Sequence, residues 1–199
     1  MSGKIKEKVE NIYQSNERLI NLVNDLLNVS RIEAGAIKLK LEKTSLEETI
    51  KEVIEEIKIE AEKKNLYLRY QEPEKPLPNL LLDKEKIKEV ILNLIDNAIK
   101  YTQKGGITIT AEVQTPKPKK REEILIKIKD TGVGLTKEEI EKLFESFSRS
   151  KAGTTFHIEG AGLGLYVARK FVEMHQGKVW VESQGKDKGS AFYIELPIK

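Results

Sequence analysis

Apolar residues recur along the first stretch of the chain at a helical spacing. From Lys4 to about Ile32 there is no proline or glycine, and Ile5, Ile12, Leu19 and Leu26 stand seven apart. Val9, Leu22, Val23 and Val29 widen the stripe, which predicts one long helix packed against other helices. Each such side chain is worth about 1.5–3 kcal/mol when buried, so the stripe as a whole carries on the order of 10 kcal/mol. An isolated helix is marginal in water. The stripe therefore predicts partner helices, in an intermolecular bundle rather than a fold-back onto its own domain. Gly35 ends the helix in the C-terminal glycine position.

Beyond Gly35 the pattern changes. Ile37, Leu39 and Leu41 alternate with polar residues and predict a short strand. Ser45-Leu46-Glu47-Glu48 is a capping box before a helix with Leu46, Ile50, Val53, Ile54, Ile57 and Ala61 on one face. A strand at Leu66–Tyr70 precedes a loop with Pro73, Pro76 and Pro78, and Asp83 caps a helix that runs to about Tyr101. Gly105-Gly106 breaks it, and Ile107, Ile109 and Ala111 pair through the Pro116–Arg121 loop with Ile124, Ile126 and Ile128. Thr136–Glu139 is a second capping box, before a short helix to Phe144. After a polar loop, a helix from about Leu163 to His175 leads to strands near Val179–Glu182 and Ala191–Leu196. The predicted class is α+β: a mixed sheet covered by helices on one face, preceded by the long helix. The predicted division is residues 1–35 and residues 36–199.

Composition narrows the chemistry. The 199 residues contain no cysteine, which excludes a disulfide scaffold, a thiolate nucleophile and zinc held by sulfur. Only His157 and His175 are present, so a histidine-rich metal site is excluded too. A net charge of +3 from 35 basic and 32 acidic residues argues against a dedicated nucleic-acid binder. The basic Pro116–Arg121 run reads as a solvated hairpin tip between acidic residues. No apolar run approaches the ~18 residues of a membrane span, and the expectation is a soluble, cytoplasmic chain.

Three short patterns carry candidate chemistry. On the helix after Asp83, Asn93, Asn97 and Lys100 lie at i, i+4 and i+7, opposite the apolar face, with Glu89 one turn earlier. Two carboxamides and an ammonium in line suit a Mg²⁺-phosphate contact row, because Mg²⁺ takes hard oxygen ligands and keeps several waters. Taken alone, the row also fits a solvated helix face. Asp130-Thr-Gly132-Val-Gly134 follows a strand, so its glycines permit a tight turn and its carboxylate can accept from an exocyclic amine. Taken alone, it also fits an ordinary strand-to-loop turn. Gly160-Ala-Gly162-Leu163-Gly164-Leu165 opens a helix whose free N–H groups can cradle phosphate. No G-K-[ST] follows, so it is not a Walker loop, and no strand leads into it as in a dinucleotide fingerprint.

Together, in this order, the patterns resemble the nucleotide-binding domain shared by histidine kinases, gyrase-type topoisomerases, Hsp90 chaperones and mismatch-repair ATPases. The N box runs from Glu89 to Tyr101, the G1 box is Asp130–Gly134, the F box is Leu143–Phe147 followed by Arg149, and the G2 box is Gly160–Leu165. The resemblance covers about residues 37–199 and implies the Bergerat-type ATP-binding fold, a two-layer α/β sandwich. Within that group the chain is similar to sensor histidine kinases. Asn93 stands where the gyrase-type enzymes carry a water-activating glutamate, which suits transfer over hydrolysis. Arg31-Ile-Glu33-Ala-Gly35 matches the end of the second dimerisation helix. His175-Gln-Gly177, Trp180, Glu182-Ser183 and Gly189–Phe192 resemble the closing strands.

The resemblance implies ATP and Mg²⁺ as ligands and assigns roles. Asn97 coordinates Mg²⁺ with help from Asn93; Lys100 and Arg149 contact phosphates; Tyr101 packs against adenine. Asp130 reads the adenine amino group, and Gly132 and Gly134 shape that pocket. Gly160, Gly162, Leu163 and Gly164 form the phosphate loop, whose glycines let a lid at Ser148–Ala161 close. Phe144 and Phe147 anchor that lid or simply fill the core. Asn93, Lys100 and Arg149 are the implied catalytic set. The implied partners are the phosphoacceptor helical domain, a response-regulator receiver domain and, in a parent protein with or without a membrane anchor, a second copy. The family's phosphoacceptor, a histidine followed by an acidic residue and then a proline, has no counterpart here, since His157 and His175 both lack that context. Two alternatives stay open on the sequence: an ATP-hydrolysing clamp of the gyrase or Hsp90 type, and a non-catalytic nucleotide-binding or dimerisation module.

Overall fold

In the computed structural model, which describes residues 3–115, 121–146 and 162–198 (part of the first helix by its backbone alone), three helices begin where a side chain caps them. Ser45 opens α2 (Leu46–Lys63) by accepting the Glu48 N–H at 3.3 Å. The reciprocal half of that expected box is not made: the neighbouring Glu47 accepts the N–H of Leu77 instead, at 2.6 Å. Asp83 opens α3 (Lys84–Tyr101), accepting from Lys86 N at 3.1 Å. Thr136 and Glu139 complete both halves of a capping box at α4 (Lys137–Lys142). The first helix, α1, spans Gly3–Glu33 and ends at Gly35, whose φ of +62° only glycine adopts cheaply.

Residues 37–41, expected as a strand, form none, and the pairing starts only after them. Strand β1 is Glu42–Thr44, and it pairs antiparallel with β3 (Leu80–Leu82) over three residues. The partner sets this limit, because β3 ends at Asp83, whose second carboxylate oxygen takes the Lys40 N–H at 2.8 Å. That N–H therefore never joins a ladder.

Strands β2 (Tyr67–Gln71), β4 (Gly106–Gln114), β5 (Glu123–Asp130), β6 (Lys178–Glu182) and β7 (Ala191–Pro197) form one sheet in the order β2-β4-β5-β7-β6. The β2–β4 pair is parallel and the rest are antiparallel, a mixed sheet as expected. Strand alternation sorts the side chains by face. Ile107, Ile109, Ala111, Ile124, Ile126, Ile128, Phe192, Ile194 and Leu196 are buried, whereas Thr108, Thr110, Lys127 and Tyr193 on the opposite face are half-exposed. Helices α2, α3 and α5 (Gly164–Met174) cover the buried face. Asp130 continues the inward row of Ile124, Ile126 and Ile128. A carboxylate thus ends a line of isoleucines beneath the helices.

His175 closes α5 and ties it to α3. Its Nδ1 lies 2.7 Å from the Phe171 carbonyl and its Nε2 accepts the Asp83 N–H at 3.0 Å, so this ring serves packing. Along α1 the apolar stripe is uncovered: Ile5, Val9, Ile12, Leu19, Leu22, Val23 and Leu26 are 41–67% exposed. Its last turns meet the layers, through buried Val29 and a bond from Asn28 Nδ2 to Glu89 Oε1 of 3.0 Å.

Asp83 gathers three of these contacts, so Asp83→Ala should lower the unfolding free energy by about 2 kcal/mol, the sum of a lost cap and a lost buried acceptor. Urea denaturation of the two proteins checks this. A difference under about 0.5 kcal/mol would show that α3 does not depend on its cap.

Candidate functional site

One face of α3 is apolar and sealed by Ile87, Val90, Ile91, Leu94, Ile95, Ala98 and Ile99. The other carries Glu89, Asn93, Asn97 and Lys100, half-buried except for the exposed Lys100. Asn97 Nδ2 donates to the Asn93 carbonyl at 2.8 Å. The helix thus engages the amide nitrogen, and the carboxamide oxygen is the end on offer to a ligand. Lys100 Nζ sits 2.5 Å from Asp96 Oδ2 in a half-exposed i, i+4 pair. A pair of that kind holds weakly and can exchange partners.

At the C-terminal end of α3 the turn after β5 closes tightly. Gly132 lies so near the helix that a Cβ there would stand 2.4 Å from the Tyr101 carbonyl and 3.0 Å from Thr102 Oγ1. Val133 N donates to that same Tyr101 carbonyl at 3.2 Å, and Thr102 Oγ1 donates to Ala98 O at 2.7 Å. Gly134 adopts a φ of +64° with no room for a side chain against the Gly185 carbonyl. Asp130, only 4% exposed, accepts from Gly132 N at 2.7 Å and from Ser190 N at 3.2 Å, both on Oδ1. This leaves Oδ2 the oxygen less engaged by the described residues. Burial pushes this carboxyl above the ordinary carboxylate range, and the backbone N–H groups of Gly132, Ser190 and Asp130 itself oppose the rise.

In the middle of α3 a second glycine closes in. A Cβ on Gly164 would come 2.9 Å from Asn93 Oδ1, so the first turn of α5 rests on the Asn93 carboxamide. Gly162, at φ +71°, turns the chain into that helix. Leu163 is its N-cap and supplies no side-chain cap, so among the described residues no side chain caps the opening N–H groups of α5, the groups that suit an anion. Asn93 and Tyr101 are eight residues apart, about 12 Å along the axis. Asp130 and Gly132 at one end, Asn97 between and Gly164 toward the other therefore line the same side of one helix.

Three contributors have no local signature in the sequence. Lys64 Nζ donates to the carbonyls of Ile99 and Lys100 at 2.8 and 2.9 Å, closing α3 from 36 residues upstream. Burial lowers its pKa, with Lys100 acting in the same direction. Ser190 supplies a donor to Asp130, and Ser183 Oγ accepts the Leu135 N–H at 3.0 Å. In the sequence both serines stand out solely through the likeness of Glu182-Ser183 and Gly189–Phe192 to closing strands. From α1, Asp25 is raised by burial and by Glu89, while Lys100 lowers it. Tyr101 is half-buried at the helix end, and Phe144 is buried. Arg149, Gly160, Phe147, His157 and the expected lid at Ser148–Ala161 lie outside the described residues. No cluster of three or more potential metal-binding His, Cys, Asp or Glu residues occurs among the described residues. A divalent ion held by one amide oxygen and ligand phosphates would leave none.

The family described as histidine kinase-, DNA gyrase B-, and HSP90-like ATPase matches residues 82–199. The non-motile and phage-resistance protein of Caulobacter vibrioides is 32% identical over 191 residues, 96% of this chain and 22% of that protein. Full-length ShkA in complex with AMPPNP superposes with a TM-score of 0.82 at 27% identity, over 99% of this chain and 39% of that one. Histidine kinase ThkA in complex with the response regulator protein TrrA gives 0.74 at 25% identity, over 100% of this chain and 53% of that one. The chain spans about a fifth of the length of the curated relatives it matches, 22% in each case. No described helix is long and apolar enough to cross a membrane. With the turn that follows the strand-end carboxylate and the glycine-opened helix both packed against the carboxamide helix, the chain belongs to the histidine kinase-, DNA gyrase B- and HSP90-like ATPases, as a catalytic domain of the histidine kinase type.

Proposed function

We propose that this chain is the ATP-binding catalytic region of a two-component sensor histidine kinase, which transfers the γ-phosphate of Mg-ATP to a histidine on a dimerisation helix outside this chain. The observation that carries the reading is the convergence of Asp130, Asn97 and the start of α5 on one face of α3. Asp130 Oδ2 accepts from the exocyclic amine of adenine, a donor that guanine lacks at that position. Tyr101 and the turn of Gly132 and Gly134 wall the base. The open N–H groups of Gly162, Leu163 and Gly164 receive phosphate oxygens, and Lys100 leaves Asp96 to meet them. Asn97, supported by Asn93, holds the Mg²⁺, which when bound neutralises charge on the triphosphate. Arg149 and Gly160 complete the phosphate contacts.

Asn93 cannot take a proton from water as a glutamate would, which favours transfer to an external acceptor over hydrolysis. That acceptor is a helical domain whose second helix is residues 1–35; their uncovered stripe is the seam against the first helix and against a second copy. The response-regulator receiver then takes the phosphoryl group, a role supported by the ThkA complex with TrrA. A cytoplasmic setting follows from the use of ATP.

Two outcomes are expected. Asp130→Asn keeps the Oδ1 contacts to Gly132 and Ser190 but presents a donor where the amine donates. Its affinity for Mg-ATP should fall roughly 10–150-fold, as for a charge-assisted hydrogen bond of about 1.5–3 kcal/mol. Its stability at pH 7 should not fall. A carboxyl raised in the folded state costs stability when ionised, and this cost disappears as pH drops through the folded pKa. The stability gap between the variant and the parent should therefore narrow on acidification. Calorimetric titration and thermal melts across pH read both effects; unchanged affinity would remove Asp130 from base recognition.

With radiolabelled Mg-ATP and a separately supplied acceptor helix pair, the chain should label histidine on the acceptor. Asn97→Ala should cut that labelling at least ~100-fold through lost metal placement. Steady Mg²⁺-dependent phosphate release without labelled histidine would instead favour the hydrolysing clamp.

A further inference from the structure

Among the bonds that hold the turn after β5 from outside, one hydroxyl, that of Ser183, meets both the turn and the connection packed against it. Ser183 stands just past β6 and is half-buried. Its Oγ accepts the Leu135 N–H at 3.0 Å and lies 2.7 Å from the Gly189 carbonyl, to which it donates. The Gly185 carbonyl, 3.3 Å away, is the weaker alternative for the same proton. Leu135 ends the turn that begins at Asp130. Gly189 touches its other side: Gly189 N donates to Gly132 O at 3.0 Å, and a Cβ there would sit 2.2 Å from the Asp130 carbonyl. The next residue, Ser190, donates to Asp130 Oδ1, and Asp187 N donates to Val133 O at 2.8 Å. Backbone bonds thus lace the 183–190 connection to the turn, and Ser183 is the side chain that joins the two ends of the lacing.

We propose that Ser183 is a positioning residue for base recognition, which sets the angle of the Asp130 carboxylate by fixing Leu135 and Gly189 at once. The proposal rests on the nucleotide reading above. Ser183 touches no reacting atom, so its removal should act on discrimination between bases rather than on the phosphate contacts shared by all nucleotides.

The test compares the parent chain with Ser183→Ala and Ser183→Thr in calorimetric titrations against Mg²⁺ with non-hydrolysable ATP and GTP analogues. Hydrogen exchange at the Leu135 amide is followed in parallel. Ser183→Ala should lose about tenfold in ATP-analogue affinity and little for the GTP analogue, so that the ratio shrinks by the same factor. Its Leu135 amide should exchange at least ~10-fold faster. Ser183→Thr keeps a hydroxyl and should keep both the ratio and the protection, an expectation that stands even where the alanine variant does not fold. A folded Ser183→Ala protein with an unchanged ratio overturns the proposal. So does equal loss for both analogues, or a threonine variant that behaves like alanine. A parent chain that binds neither analogue contradicts the functional reading itself. In that case unchanged Leu135 protection in Ser183→Ala separately removes the hydroxyl as the tie.

Discussion

Two glycines close against one helix, and the site exists because neither has a Cβ. At Gly132 the obstacle to a side chain is the backbone carbonyl of Tyr101, which cannot swing away. At Gly164 it is the Asn93 carboxamide. Each approach brings a different chemical group to α3: a buried carboxylate at one end and an uncapped set of helix N–H groups toward the other. The helix supplies the amide row between them. A carboxylate, an amide oxygen and helix N–H donors, the groups to which the proposed function assigns base, metal and phosphates, are thus aligned by one rigid element.

The apolar half of α3 makes that alignment possible. Its seven buried residues lock the helix to the sheet, so the opposite face has no freedom to rotate. The same sheet directs Asp130 inward by simple alternation after Ile124, Ile126 and Ile128. Burial of a charge costs stability and pushes the Asp130 carboxyl up, and three backbone N–H groups offset part of that cost. A group held at such expense is a candidate for recognition chemistry.

The parts of this account legible in the sequence are those set by short-range rules. Caps at Ser45, Asp83 and Thr136 marked helix starts, because a side-chain acceptor and the N–H it serves lie within three residues. The periods of α2 and α3 marked their buried faces, and the order of the boxes pointed to the candidate ligands. What was hidden is non-local. Nothing near Glu42 announces a three-residue ladder with Leu80–Leu82, and the alternation at Ile37, Leu39 and Leu41 imitates a strand whose partner ends at Asp83. Lys64 reaches the end of α3 across a sequence gap of 36. Ser183 and Ser190 act on the turn after β5 from more than 45 residues away. Pairings of that kind depend on tertiary placement that propensity does not encode.

The central claim is that the three elements serve one bound nucleotide and its metal. Replacing Mg²⁺ by paramagnetic Mn²⁺ in the presence of a non-hydrolysable ATP analogue, and recording amide spectra of the chain, tests it most directly. The account predicts selective broadening of the amides of Asn93, Asn97 and Gly162–Leu165, with the amides of Asp130 and Gly132 shifted by the base yet less broadened. Broadening centred elsewhere, or base-induced shifts remote from the turn after β5, would contradict it.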